Sequence, residues 1–319
     1  MPIVELHNVR KVYDTKVAVH GLSFKIEPGT MFGLLGPNGS GKTSSIRMMI
    51  GITVPDSGSV TLLGQPFDRR NLNRVGYLPE ERGLYKKMNV LDQLVFLGQL
   101  HGLDAATAKK RSLIWCERME ISEAIPKKTE ELSKGMQQKI QFIASLLHEP
   151  DLIIMDEPFS GLDPVNATLL QDTLVDLRKE GKAVLFSTHR MDQVEKLCDE
   201  IALISGGHLL LSGSMREVKS TYPRNRVQIV FEGSDAFLKH PAIEEAKNYS
   251  GHAEIKLAPS SDLASASNAV LTEALTGARV SRFEVMEPTL EEIFIERVTA
   301  QTAAQNTASA TTNGVAVHA

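Results

Sequence analysis

Short runs of apolar residues recur along the first two thirds of the chain and alternate with segments whose apolar residues are three and four positions apart. The short runs indicate buried β-strands, and the spaced segments indicate helices with one apolar face. The runs lie at 32–35, 152–155, 183–187 and 201–204, and the helical segments include 165–177 and 191–198. Strands that alternate with helices predict an α/β domain built on a largely parallel sheet.

The pattern changes between about residues 88 and 149, where strand-type runs disappear. Helical spacing replaces them, with apolar side chains at Leu91, Leu94, Val95, Ile140, Ile143 and Leu147. This segment is predicted to be a helical subdomain inserted into an α/β domain that spans residues 1–222.

A second domain is predicted to begin at Pro223 and to span residues 223–300. Strand patterns lie at 227–231 and 279–285, and Thr289 and Glu292 have the spacing of a capping box that starts a helix. These elements predict a small α+β domain. Residues 301–319 carry no Asp, Glu, Lys or Arg and no apolar periodicity, so a disordered tail is expected there.

Composition narrows the classes of function. The 319 residues are 42% hydrophobic and 23% charged, which is typical of a globular protein, and the net charge of −4 gives no strong attraction for a nucleic-acid backbone. Two cysteines, Cys116 and Cys198, lie among apolar neighbours and favour a reducing, cytoplasmic setting. No signal peptide or run of about 18 apolar residues is recognisable, so any link to a membrane is expected to go through a partner.

A phosphate-binding loop follows the first buried strand. The residues are Gly36, Pro37, Asn38, Gly39, Ser40, Gly41, Lys42, Thr43 and Ser44, and a helical segment comes next. The glycines let the backbone wrap around an anion, Lys42 can reach the β- and γ-phosphates, and Thr43 can ligate Mg²⁺. The alternative is a glycine-rich turn that happens to precede a helix.

The run at 152–155 ends in two adjacent carboxylates, Asp156 and Glu157. At the end of a parallel strand, Asp156 would face the Mg²⁺ of the phosphate loop, and Glu157 could orient or deprotonate an attacking water. The alternative is a solvated turn, because acidic residues are common at strand ends.

These motifs, together with the segment Leu132-Ser133-Lys134-Gly135-Met136-Gln137-Gln138, resemble the nucleotide-binding subunits of ATP-binding cassette (ABC) transporters over residues 3–220. The resemblance implies that Ser133, Gly135 and Gln137 form a signature segment that contacts the ATP of a second copy. It also implies that Asp163 belongs to a loop at the dimer interface, that His189 contacts the γ-phosphate, and that Tyr13 stacks on adenine.

The chain departs from the family pattern at two places. Lys134 and Met136 flank Gly135 in the signature segment, and Glu80 stands where the family has a glutamine. Both variants, and the ending Pro288 to Phe294, resemble those of a sodium- and drug-efflux subgroup. In this interpretation Glu80 reaches Mg²⁺ through water.

Three of these residues also have simpler interpretations. Tyr13 could pack on the N-terminal sheet, and His189 could be a hydrogen-bonded loop histidine. Ser133 would make a good N-cap, a role that is compatible with phosphate binding.

The resemblance implies an ATPase of the P-loop class that dimerises around two ATP with Mg²⁺. It would drive separate transmembrane permease subunits from the inner face of the membrane, docking through residues 80–88 and the helical subdomain. A pair of identical or different ATPase subunits is possible. The alternatives are an ATPase acting on ribosomes or DNA, which the single phosphate loop and the absence of basic excess disfavour, and a non-hydrolysing regulatory subunit. The C-terminal domain is expected to regulate or stabilise the dimer, or to serve only as a packing appendage.

Overall fold

The computed structural model describes residues 1–81, 83–260 and 262–300, and their contacts divide the chain into two compact units. One unit comprises residues 1–215, and the other begins at Arg216. The predicted disordered tail, 301–319, lies outside the described residues.

The first unit contains two sheets and the helices between them. Its strands are β1 (Val4–Tyr13), β2 (Lys16–Ile26), β3 (Met31–Leu35), β4 (Ser57–Leu62), β5 (Gln65–Pro66), β6 (Val75–Leu78), β7 (Leu152–Asp156), β8 (Ala183–Thr188), β9 (Glu200–Ser205) and β10 (His208–Ser214). Its helices are α1 (Lys42–Met49), α2 (Val90–Leu100), α3 (Ala105–Arg118), α4 (Lys134–Leu146), α5 (Pro164–Lys179) and α6 (Met191–Leu197).

The central sheet has the strand order β10-β9-β3-β8-β7-β6, and all its neighbouring pairs except β10–β9 are parallel. Every residue of β3, β7 and β8 is buried, which explains why these strands are uninterrupted apolar runs in the sequence. The predicted α/β fold is confirmed. Parallel strands end at one edge of the sheet, so the residues that follow β3, β7 and β8 are brought together there.

The second sheet, β2-β1-β4-β5, is antiparallel; the sequence suggested an N-terminal sheet but predicted none of these strands. Its buried residues, among them Val4, Leu6 and Val19, share one hydrophobic core with Ile46 of α1 and Leu152 of β7. This packing places the end of β1 beside the phosphate loop.

Helices α2, α3 and α4 occupy the segment predicted to be helical. The basic side chains of α3 and α4 each bind the C-terminal end of the other helix. Lys139 Nζ donates to the carbonyl of Met119 at 2.9 Å, and Arg111 Nη1 donates to the carbonyl of Leu147 at 2.8 Å. Both bonds satisfy carbonyl groups that a helix end leaves unpaired.

The second unit has α+β architecture, as predicted. Its elements after α7 (Met215–Ser220), which spans the division, are β11 (Arg226–Gly233), β12 (Ile243–Asn248), β13 (His252–Leu257), α8 (Leu263–Gly277), β14 (Ala278–Met286) and α9 (290–300). The sheet order is β12-β13-β11-β14, and α8 covers one face over a core that includes Val227, Ile229, Phe231, Ile255 and Val270. Strands β12 and β13 and helix α8 were not predicted.

Candidate functional site

The phosphate loop connects β3 to α1, and its glycines are required by geometry at two positions. Gly36 has a φ of +152°, and a Cβ there would lie 2.1 Å from the carbonyl oxygen of Ile204. Gly41, the N-cap of α1, has a φ of +106°, and a Cβ would lie 2.6 Å from the carbonyl oxygen of Ala18. Any side chain would therefore push the loop away from the sheets that support it.

The loop forms one wall of a cleft of about 500 Å³. The residues from the predicted loop that line it are Asn38, Gly39, Gly41, Lys42, Thr43 and Ser44. Gly36 and Pro37 present their carbonyl groups to Lys42, and Ser40 is 2% exposed with its backbone bonded to Pro37 and Gly207. Lys42, Thr43 and Ser44 are the first residues of α1, so the cleft lies at the start of this helix, where the helix dipole favours an anion.

Lys42 is 6% exposed and points back into the loop. Its Nζ donates to the carbonyl oxygens of Gly36 at 2.8 Å and Pro37 at 3.2 Å. Burial lowers the pKa of the Lys42 ammonium group below its usual value. The carboxylates of Glu157, Asp156 and Glu80 offset this effect only in part.

Asp156 is 1% exposed and is held by two hydroxyl groups. Thr43 Oγ1 donates to Asp156 Oδ2 at 2.8 Å, and Ser187 Oγ donates to Oδ1. Hydroxyl and carboxylate oxygens suit Mg²⁺, which proteins commonly bind through one or two carboxylates together with substrate phosphates. Thr43 and Asp156 therefore fit a Mg²⁺ ion that also binds nucleotide phosphates. The described residues contain no cluster of three or more His, Cys, Asp or Glu that could hold a metal.

Glu157 has a φ of +51°, in the left-handed region that few non-glycine residues adopt. Its carboxylate accepts three hydrogen bonds from the end of β8 and the loop after it. Thr188 Oγ1 donates to Oε2 at 3.1 Å, and the backbone amide and Nδ1 of His189 donate to Oε1 at 3.1 and 2.8 Å. These bonds fix Glu157 in the cleft, and they hold His189 beside it.

Tyr13 and Glu80 also line the cleft. Tyr13 ends β1, and Lys11 lies over its ring, with Nζ 5.6 Å from the ring centroid and 3.0 Å from Asp56 Oδ1. This arrangement keeps the tyrosine ring at the cleft wall, where it is 38% exposed.

Four residues of the site were missed by sequence reasoning: Lys16 and Ala18, which line the cleft, and Ser187 and Thr188, which hold the carboxylates. They are near Tyr13 and His189 in sequence, but no local motif or spacing marks them as part of the site.

The residues of the predicted signature segment lie at the start of α4. Ser133 is the N-cap, and its Oγ accepts from the amide of Met136 at 3.2 Å. Gln137 Nε2 donates to the carbonyl oxygens of Thr129 and Leu132 at 3.2 and 3.1 Å. A Cβ at Gly135 would make only ordinary contacts, the nearest at 3.6 Å from Leu162. The chain's own packing therefore does not require glycine at position 135.

Asp163, predicted to lie at a dimer interface, is the N-cap of α5. It accepts from the amide of Asn166 at 3.0 Å, and this hydrogen bond holds the pKa of the Asp163 carboxyl below its usual value. The structure thus gives Asp163 a local role in helix capping.

Two buried glutamines of α4 bind backbone carbonyls that follow cleft carboxylates. Gln138 Nε2 donates to Pro158 at 3.1 Å, and Gln141 Nε2 donates to Glu81 at 3.3 Å. Helix α4 is therefore bonded to the segments that carry both Glu157 and Glu80.

An apolar groove of about 370 Å³ lies between the central sheet and the helical subdomain. Its lining includes Ile52, Leu72, Leu84 and Leu97, together with Gln141, whose Oε1 has no hydrogen-bond partner among the described residues. His101 at the groove stacks on His148 at 4.0 Å, and burial lowers the pKa of His148 to about 4.

A parallel sheet with a phosphate loop after β3 and a carboxylate pair after β7 defines a P-loop nucleoside triphosphatase. The family model for ABC transporters matches residues 19–160, and the model for the C-terminal domain of DrrA1-3-like ATP-binding proteins matches residues 213–298.

Known proteins extend this similarity to nearly the whole chain. It is 41% identical over 297 residues to the ABC transporter ATP-binding protein YhaQ of Bacillus subtilis, covering 93% of this chain and 98% of YhaQ. It is 38% identical over 222 residues to the Nod factor export ATP-binding protein I of Ralstonia nicotianae, covering 68% of each. A solved ATP-binding subunit of an ABC transporter superposes with a TM-score of 0.64 at 26% identity, covering 69% of this chain and 92% of that one. The chain belongs to the ATP-binding subunits of ABC transporters, which hydrolyse ATP and work with transmembrane permease components.

Within residues 1–81, 83–260 and 262–300, no helix combines the length and the apolar character of a membrane-spanning segment.

Proposed function

We propose that this subunit hydrolyses Mg²⁺-ATP in the cleft between Tyr13 and His189, with Glu157 as the residue that positions or deprotonates water. The observation that carries the proposal is the fixed Glu157 carboxylate, which lines the same cleft as Lys42 and Thr43. Tyr13 would stack on adenine, and amide groups of the phosphate loop would bind the β- and γ-phosphates.

The chemistry is mainly positioning and electrostatics. Mg²⁺ held by Thr43 and Asp156, with Glu80 acting through water, would supply positive charge to the phosphate oxygens. Lys42 would exchange its bonds to Gly36 and Pro37 for phosphate oxygens. His189 would keep Nδ1–H on Glu157 and donate from Nε2 to the γ-phosphate, a contact that requires a proton on both ring nitrogens because phosphate oxygens only accept.

The decisive change is Glu157→Gln. It is expected to keep ATP binding and lower hydrolysis by roughly two to four orders of magnitude, the typical contribution of a general base. Phosphate release and the binding of a fluorescent ATP analogue would be measured on both proteins. Turnover close to the parent's would remove Glu157 from this role.

Two copies are proposed to close head to tail around two ATP, so that Ser133, Gly135 and Gln137 of one copy meet the γ-phosphate held by the other. Gly135 supports this arrangement, because a residue without a packing reason to be glycine suits the close approach of a phosphate. The N-terminus of α4, with Ser133 as its cap, presents donors for an anion.

ATP with Mg²⁺ is expected to convert the Glu157→Gln protein from monomer to dimer, as measured by light scattering. Adding Ser133→Arg should abolish this conversion, because a long side chain would fill the space needed for close approach. Lys134→Arg, an exposed neighbour on the same helix, is the matched control. A dimer that forms equally well with Ser133→Arg would contradict the head-to-tail arrangement.

The proposed partner is a separate pair of permease subunits that dock in the apolar groove, beside Leu84 and the helical subdomain. The groove's apolar lining suits a short helix, and Gln141 Oε1, which has no partner among the described residues, suits one donor group on that helix. Such docking would hold the subunit at the inner face of the membrane. Export is the proposed direction, supported by the efflux-type signature variants and by the similarity to an export ATP-binding protein. Copurification with a permease would test docking in the groove. The copurification is expected for the parent protein and should be lost in the Leu84→Glu protein.

A further inference from the structure

The sheet of the second unit has two edges that differ in character. Strand β12 is six residues long and carries Glu244, Glu245 and Lys247, which is a common protection of an edge strand. Strand β14 at the other edge is nine residues long and contains no proline or lysine. No further strand pairs with β14 in the part of the chain that the structure describes.

Along each antiparallel strand, the backbone groups of successive residues bond alternately to one neighbour and to the other. This alternation shows which backbone groups of β14 point away from the sheet. The amide of Leu257 donates to Asn225 at 2.7 Å and that of Phe231 donates to Gly251 at 2.8 Å, so alternate residues of β11 from Asn225 to Phe231 bond to β13. The residues between them bond to β14. Their partners there are Met286, Glu284 and Arg282. Because bonding alternates along an antiparallel strand, Phe283 and Val285 direct their amide and carbonyl groups away from the sheet.

The charged side chains at this edge are complementary to those of the same edge in a second copy. Phe283 is paired with the buried Ile229, so it lies on the face that α8 covers, and Arg282 and Glu284 lie on the opposite face. Within one strand Arg282 and Glu284 already form an ion pair. If a second β14 ran antiparallel about a two-fold axis at Phe283, Arg282 of each copy would lie opposite Glu284 of the other.

This register also agrees with the direction of the backbone groups. The amide and carbonyl of Phe283 point away from the sheet, so each Phe283 can donate one hydrogen bond to its symmetry mate and accept one from it. A shift of the axis to Glu284 would place two like charges directly opposite, which is destabilising. The preferred register covers Val285, which is 44% exposed in the single chain.

We propose that β14 pairs with β14 of a second copy to form one continuous eight-stranded sheet, centred on Phe283 and flanked by two Arg282–Glu284 pairs between copies. The interface is isologous, as in most homodimers. It is separate from the proposed ATP sandwich and needs no nucleotide. When two copies are bound to one transporter, their high effective concentration would strengthen this small contact.

The test uses the full chain without nucleotide, studied by sedimentation equilibrium up to about 100 μM, a range that detects weak contacts. A monomer–dimer equilibrium is expected. Arg282→Glu or Glu284→Arg alone should raise the dimer Kd by about tenfold or more, because each places like charges opposite at two symmetric positions. The double change Arg282→Glu with Glu284→Arg should restore the Kd, and Lys247→Glu on β12 is the control that should not alter it.

A second measurement tests the register. Arg282→Cys and Glu284→Cys proteins should form a disulfide-linked dimer when mixed, and neither should do so alone, since these positions face each other only between copies. The natural Cys116 and Cys198 are buried. A parent protein that remains monomeric, or single variants that dimerise as well as the double variant, would overturn the proposal. The Glu157→Gln and Ser133→Arg experiment is repeated with Arg282→Glu added, which weakens the β14 contact, so that it reports on the ATP sandwich alone and either interface can fail without the other.

Discussion

Two neighbouring hydroxyl groups at the end of β8 hold the two carboxylates of the cleft. Ser187 donates to Asp156 and Thr188 donates to Glu157, and both hydroxyl-bearing residues are at most 1% exposed. The left-handed backbone conformation of Glu157 orients its side chain, and the hydrogen bond from Thr188 fixes the position of the carboxylate. Positioning of the proposed water therefore depends on a residue that need not touch the nucleotide.

Thr188→Val is expected to lower kcat for ATP hydrolysis by about tenfold, because a hydrogen bond to a charged group is lost and Glu157 gains freedom. Valine keeps the branched shape of threonine, and position 188 is not part of the cleft lining, so the Kd for ATP should stay within about twofold of the parent's. Thr188→Ser retains the hydroxyl and should recover most of the rate. Equal losses in the valine and serine variants would show that the methyl packing, not the hydroxyl, matters.

At this scale the sequence predicted the residues that have local motifs. The phosphate loop and the Asp156–Glu157 pair carry their signal in adjacent positions. Ser187 and Thr188 lie 31 residues from the carboxylates they hold, and a short polar pair at a strand end has no spacing that links it to them. Lys16 and Ala18 were missed for the same reason, because only the folded β2 brings them to the cleft.

Helices α3 and α4 stabilise each other through their ends. Each provides one basic side chain to the last carbonyls of the other, so the pair is fixed in its antiparallel arrangement by two bonds at opposite ends. Lys139 is only 6% exposed, and its ammonium group donates to the carbonyl of the buried Met119 at the end of α3. The arrangement keeps the signature segment on a rigid support.

Lys139→Met is expected to lower the free energy of unfolding of the first unit by about 1–2 kcal/mol, the cost of leaving a buried acceptor unpaired. Lys110→Met, at an exposed position of α3, is the matched control and should change it by less than about 0.5 kcal/mol. Urea unfolding can be followed by the fluorescence of the single tryptophan, Trp115, which lies on α3. A control variant as destabilised as Lys139→Met would argue against the capping role.

Element prediction succeeded where burial leaves a regular pattern in the sequence. Strands β3, β7 and β8 are buried on both faces, and the buried residues of α5 recur at helical spacing, at Leu170, Thr173, Leu174 and Leu177, so both patterns are strong. Strand β12 has one partly buried residue and five exposed ones, which gives no alternation to recognise. Helix α8 packs through small residues such as Ala274, which carry little hydrophobic signal. Tertiary contacts decide these elements, not local pattern.

All residues that line the cleft belong to the first unit, which ends at residue 215. A chain that ends at Tyr222 is therefore expected to bind ATP with a Kd within about threefold of the full chain's, since a domain with its own core can fold alone. The same truncation should abolish association in the absence of nucleotide. Calorimetry and circular dichroism would be compared for both proteins. A truncated protein that is folded but does not bind ATP would mean that the second unit contributes to the nucleotide site.

The bonds of Lys42 affect how much free energy is needed to order the phosphate loop. Its ammonium group already bonds to Gly36 and Pro37, so the loop is held in a closed shape before any anion arrives. The conformational entropy of ordering the loop is thus lost during folding and not again on association. In the proposed mechanism, nucleotide binding would exchange the two carbonyl partners of Lys42 for phosphate oxygens, with a small net enthalpy from this residue, and the preorganised loop would favour rapid binding.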